Sequence, residues 1–123
     1  MTFVTSFRAT LAVVACATVL SMAAAVPARA DQSDVCGQWK TTDPDMLIGA
    51  CTATIQSGKW SGKDLAWAYL NRCIAYQRKQ QWDDAIRDCG TALQLDPTSN
   101  AYDARGTAYR KKGEYDRAIQ DYD

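Results

Sequence analysis

Thirty-three residues after the segment WDDAIRDCGTALQLDP, residues 82–97, the chain writes a near copy of its opening, YDRAIQDYD. A recurrence at fixed period constrains the fold more than any single residue does. A unit that repeats must bury its apolar face against its own copies, as stacked supersecondary units do. Aligning Ala85-Ile86 with Ala118-Ile119 also brings Tyr69 onto Tyr102, Cys73 onto Gly106, Tyr76 onto Tyr109, Trp82 onto Tyr115 and Cys89 onto Tyr122. From Lys63 to Lys79 the apolar residues Trp67, Leu70 and Ile74, flanked by Tyr69 and Tyr76, fall at helical spacing. A polar break at Gln80-Gln81 separates them from Asp83–Leu95, where Ala85, Ile86, Cys89, Ala92 and Leu93 form a second stripe. Pro97 stops that second helix, because proline disfavours the helical state of the residue before it. The predicted unit is helix, turn, helix, stop.

LNRCIAYQRKQQWDDAIRDCGTALQLDP, followed by ARGTAYRKKGEYDRAIQDYD, resembles tetratricopeptide repeats over roughly residues 65–123. The likeness rests on Trp82 and Tyr115 before the second helix, the small residues Ala85, Ala92 and Ala118, the terminal LDP and the GEYDRAI turn. Cys73 departs from a usual glycine and Cys89 from a usual aromatic. The spacing is one residue short of the ordinary period of about 34. The resemblance implies an all-α fold, a short α-solenoid of antiparallel helix pairs. An echo of the second helix alone, DPDMLIGACTATIQSG at 43–58, precedes the two copies, with Asp43-Pro44 as a capping acid and a first-turn proline. The expected organisation is a leader over 1–30, a cysteine-containing half-repeat over 31–62, a repeat over 63–97 and an incomplete one over 98–123. That order also resembles secreted bacterial repeat proteins. Core packing accounts for Ala85, Ala92, Gly106 and Ala118 as close-approach residues, and for Tyr69, Tyr76, Trp82, Tyr102 and Tyr109 as space fillers.

The resemblance further implies a concave groove lined by first helices and holding a protein or peptide partner. It puts Trp67, Leu70, Asn71, Ile74 and Arg78 on or near that face, with Asn100, Asp103, Thr107 and Lys111 as counterparts. The basic and amide set that clamps a C-terminal carboxylate in some members is mostly absent, since Leu70 and Ile74 are apolar. For Asn71, a peptide-backbone contact and a packing or solvent-exposed role both stay open.

The chain opens with Arg8, an apolar run over 9–26 and the small-residue pattern PARA before DQSD, which reads as a signal peptide cleaved after Ala30. The alternatives are a membrane anchor, for which the run is near the lower length limit, and a lipoprotein anchored at Cys16. Removing residues 1–30 takes away two arginines and no acids. That changes 14 basic and 14 acidic side chains to 12 and 14, a net charge of −2. Nucleic acid is not the expected partner, because neutralising phosphates needs a basic face. Arg110-Lys111-Lys112 reads as solvated surface at a helix C-terminus, where cations are favoured. After cleavage no membrane association is expected.

The sequence has no histidine. That removes the usual general base and every Ser-His or Cys-His nucleophile. Asp83-Asp84 reads as dipole-complementing acid at a helix start, and GKWSGK lacks the spacing of a phosphate loop. No catalytic residue, cofactor or metal site is expected. The four cysteines after Ala30, namely Cys36, Cys51, Cys73 and Cys89, form no CxxC pair. An even count behind a leader fits two disulfides in an oxidising compartment, against an alternative of four buried thiols. Three connectivities are possible. In an antiparallel pair turning near Gln81, Cys73 and Cys89 stand at similar height, which favours Cys73–Cys89 and leaves Cys36–Cys51.

The expected function is a periplasmic protein-interaction module. The alternative is a fragment of a longer repeat protein with no binding activity of its own. Helix 115–123 is expected to pack Ala118, Ile119 and Tyr122 back on Tyr102 and Tyr109, to be the least covered element, and to fray or self-associate. N-terminal sequencing of the exported protein should read DQSD; a start at a lipid-modified Cys16, or at Met1, would refute the cleavage.

Overall fold

Each helix begins and ends where local chemistry directs it. The computed structural model describes residues 31–40 and 42–123, so the signal-peptide and Cys16 expectations lie outside the described residues. Among the described residues there are six α-helices: α1 Gln32–Gly37, α2 Pro44–Gln56, α3 Ala66–Arg78, α4 Trp82–Leu95, α5 Ser99–Lys112 and α6 Tyr115–Tyr122. A 3₁₀ turn, Gly62–Leu65, leads into α3. Asp43 caps α2 by accepting from the backbone N–H groups of Asp45 (3.0 Å) and Met46 (3.3 Å), with Pro44 in the first turn. Thr98 caps α5 through the N–H of Ala101. Asp83 and Asp84 stand in the first turn of α4, and Arg110, Lys111 and Lys112 in the last turn of α5, each sign where the helix dipole favours it.

The two repeat turns are built alike. The N–H of Gln81 donates to the carbonyl of Tyr76 at 2.9 Å, and 33 residues on, Glu114 donates to Tyr109 at 2.9 Å. Both turns need one left-handed residue. The second copy supplies Gly113 (φ 92°), whereas the first uses Gln80 (φ 60°), a conformation that costs a side-chain-bearing residue about 1–2 kcal/mol.

The helices pack as three antiparallel pairs, α1 with α2, α3 with α4 and α5 with α6. The half-repeat expected over 31–62 therefore differs in one respect. Its helix is not alone, because α1 packs on both α2 and α3. The six-residue QSDVCG has no apolar stripe long enough to announce a helix. What holds it is the Cys36–Cys51 disulfide (S–S 2.05 Å) and a hydrogen bond from Asn71 Nδ2 to the Cys36 carbonyl at 2.9 Å.

The core is made of small side chains. Ala50, Ala68, Ala75, Ala85, Ala92, Ala101, Ala108 and Ala118 are buried, as are all four cysteines, and Leu47 is the largest fully buried apolar side chain. Small residues let helix backbones approach closely. Tyr69, Tyr76, Trp82 and Tyr109 fill the margins half-buried, whereas Tyr102 is exposed. Cys73 and Cys89 are joined (S–S 2.01 Å) across α3 and α4 with Cα atoms 5.4 Å apart. At the matching positions of the next pair, the Tyr122 ring lies over Gly106, so close that a Cβ on Gly106 would fall 2.8 Å from Tyr122 Cε1 and 3.2 Å from Asp121 Cβ. Position 106 is glycine because an aromatic ring occupies the space.

Ala118 is buried as expected, whereas Ile119 is 56% exposed. Its counterpart Ile86 is covered by the cluster that includes Ala108 of α5, and no described helix stands in that place beyond α6.

Gly106→Ala should lower stability by about 1 kcal/mol, because overpacking of about 1–3 kcal/mol exceeds the helix-propensity gain of about 1 kcal/mol. Gly49→Ala, at an exposed position of α2 with nothing within 4 Å of a new Cβ, should gain about 0.5–1 kcal/mol. Urea unfolding midpoints of the two variants, moving in opposite directions, check this.

Candidate protein-interaction groove

What aligns the groove is a buried ion pair that recurs with the repeat. Arg72 on α3 forks onto Asp88 of α4, Nε to Oδ2 at 2.6 Å and Nη2 to Oδ1 at 3.0 Å. Its Nη1 also donates to Thr52 Oγ1 of α2 at 3.0 Å. One guanidinium thus ties three helices, and the Tyr69 ring lies 5.5 Å from its Cζ. In the next copy Arg105 repeats the fork on Asp121 at 2.8 and 2.6 Å, flanked by Tyr102 and Tyr109. Gly90 of α4 lies beside that second guanidinium, so no hydroxyl takes its third arm there. Burial pulls the Arg72 guanidinium down, but the hydrogen bonds and charge of Asp88 more than offset it, and the net shift is upward. At Arg105 the hydrogen bonds to Asp121 dominate, and that shift is also upward. Neither pair was among the sequence expectations, although all four residues keep the 33-residue register.

With the helices so fixed, α3, α5 and the segment after α1 frame a cleft of about 270 Å³ lined by Trp39, Leu70, Asn71, Ile74, Asn100 and Asp103. Five of the nine residues expected in the groove meet there. A larger cleft of about 420 Å³ contains Trp67 and shares Leu70 and Asn100 with the first. Its walls are Trp60, Ala66, Ala92 and Ala101, with Lys63, Asp64 and Asp96 at the polar side. The Trp60 and Trp67 rings meet edge to face at 5.9 Å.

Three expected groove residues are already engaged. Asn71 is buried, its amide donating to the Cys36 carbonyl. Its amide nitrogen is thus engaged in packing, while the residue also lines the smaller cleft. Arg78 donates through Nη1 to the carbonyls of Trp39 (3.1 Å) and Thr42 (2.7 Å), so it fastens the loop after α1. Thr107 meets the Tyr122 hydroxyl at 3.2 Å. Lys111 is exposed and lines neither cleft. Conversely, Trp39 and Trp60 were not anticipated. Both lie in linkers outside the repeat, where helical periodicity says nothing, and their only signal was a tryptophan in a short polar turn.

Residues 66–99 match the tetratricopeptide repeat family. The chain therefore contains a tetratricopeptide repeat, and the match spans α3, the turn and α4, ending at the start of α5. Human superkiller complex protein 3 is 30% identical over 79 residues, 63% of this chain and 5% of that protein. Human DnaJ homolog subfamily C member 7 is 37% identical over 62 residues, 50% of this chain and 13% of its own length. Mouse sperm-associated antigen 1 is 39% identical over 57 residues, 46% and 6% respectively. The chain thus spans a small part of each of these relatives. The fold is all-α, with helix pairs in the tetratricopeptide arrangement.

Asp88→Asn should cost about 3–5 kcal/mol, the penalty for stranding one partner of a buried ion pair. Asp121→Asn, whose arginine is more exposed (26% against 14%), should cost only about 1–3 kcal/mol. Chemical denaturation of both variants checks the order, and a larger loss at Asp121 would contradict it.

Proposed function

We propose that this chain is a protein-interaction module of the bacterial periplasm, or a secreted one, that holds a peptide or a segment of a partner protein in the groove of α3 and α5. The observation that carries the reading is the convergence of Leu70, Asn71, Ile74, Asn100 and Asp103 on one cleft continuous with the Trp60–Trp67 cleft. Residues that share one repeat register share one face, and this face is concave and largely apolar. Such a surface offers burial to a partner without chemistry to act on it. The chain has no histidine, and no group in either cleft is placed as a nucleophile beside a base.

Export is supported by the apolar run ending at PARA and by two cystines, which persist in oxidising compartments. Cleavage after Ala30 fits that route better than anchoring at Cys16, because the apolar run continues past Cys16 instead of giving way to a polar tether.

A photo-crosslinking residue at Ile74 should capture a partner from the periplasm of living cells, whereas the same residue at exposed Gln94 on α4 should not. Equal capture at both positions, or none at Ile74, would overturn the groove assignment.

A further inference from the structure

The two clefts differ from a general-purpose groove in what they lack as much as in what they hold. Three of the chain's four tryptophans border them: Trp39, Trp60 and Trp67. Trp60 stands on edge against Trp67 and keeps 39% of its surface open, while Trp39 keeps 37%. Tryptophans in a recess are the residue type that most often anchors an interface. The groups able to recognise a carboxylate or an acidic side chain are spent elsewhere. Asn71 donates to Cys36, and Arg78 to Trp39 and Thr42. Lys63 is the one cation lining either cleft, and it lies 3.6 Å from Asp96. Lys40 packs against the Trp39 ring and lines neither. Asp64 and Asp103 have no ion pair among the described residues, and they flank the Leu70–Asn100 junction from opposite clefts.

Resting on the groove reading above, we infer that the groove selects an apolar segment carrying a basic side chain. A large aliphatic or aromatic residue enters the Trp60–Trp67 notch, and a lysine or arginine of the same segment meets Asp64 in that cleft or Asp103 in the adjoining one. The apolar anchor gains burial against Trp67, Leu70 and the alanines of α4 and α5. The cation gains a carboxylate and, in the larger cleft, the exposed Trp60 ring, to which cations are attracted. An acidic segment would set like charges against Asp64 and Asp103 with only Lys63, itself beside Asp96, to relieve them, and mismatched charge of this kind excludes wrong partners.

Phage-displayed random linear dodecapeptides, panned on the oxidised full chain, test the inference. Selected peptides should be enriched in Lys or Arg next to a large apolar residue. A synthetic copy of the strongest should lose about tenfold or more in affinity with Trp60→Ala or Asp103→Lys, both exposed positions, and panning on Asp103→Lys should enrich acidic residues instead. A ten-fold loss corresponds to about 1.4 kcal/mol. Selected peptides without basic enrichment that still fail to bind Trp60→Ala and Ile74→Asp would overturn the charge selectivity and leave the groove standing. Peptides that bind those variants as well as the parent, or no selected peptide at all, would overturn both.

Discussion

The guanidinium of Arg72 is the point on which three helices agree. A planar fork matched to a carboxylate fixes the rotation of α3 against α4, and the third arm on Thr52 fixes α2 against both. Asp88 is 1% exposed, so a misregistered pair would leave a buried charge alone. That penalty is large even when the net gain of the satisfied pair is small. The interaction therefore selects one packing over its alternatives more than it adds to stability. In the first pair the same two positions, one residue before each cysteine, hold Val35 and Ala50, and the cystine with the Asn71 hydrogen bond sets the register of the short α1.

Across the three pairs, one position is solved in two materials. Cystines brace α1–α2 and α3–α4, and an aromatic ring on a glycine braces α5–α6. A loop of 15 or 16 residues closed by a disulfide restricts the unfolded chain by about 3 kcal/mol in the loop-entropy picture. The ring on Gly106 depends on contact alone, and Tyr122 remains half open to water. Stability should accordingly decline along the chain from the cystine-braced pairs to α6, whose Tyr115 and Ile119 are, with Met46, the most open large apolar side chains among the described residues.

The helix pairs α3–α4 and α5–α6 were legible because their apolar stripes, turn residues and small contact residues all keep one period. The Cys73–Cys89 pairing was legible for the same reason, since equal distance from a turn means equal height on two helices, and Cys36–Cys51 followed by elimination. The Arg72–Asp88 and Arg105–Asp121 forks lay in the same columns and were overlooked, because a lone charge on a helix looks like surface until its partner is known. Helix α1 was not legible. Six residues are too few to carry a period, and the element exists through its cystine and Asn71. Five of the nine residues placed in the groove by register line the smaller cleft. Trp39 and Trp60 were missed because linkers bring them there, and Arg78 was misassigned because the loop that claims it follows no repeat.

The cystines also change how this chain would answer a mechanical load applied at its two ends. Residues between Cys36 and Cys51, and between Cys73 and Cys89, are shunted by a covalent bond and cannot lengthen. Each shunt hides about 50 Å of extended chain. Tension would then pass through the linkers and through α5–α6, where the Tyr122 ring peels from Gly106. The molecule has, in effect, two inextensible links followed by one that yields.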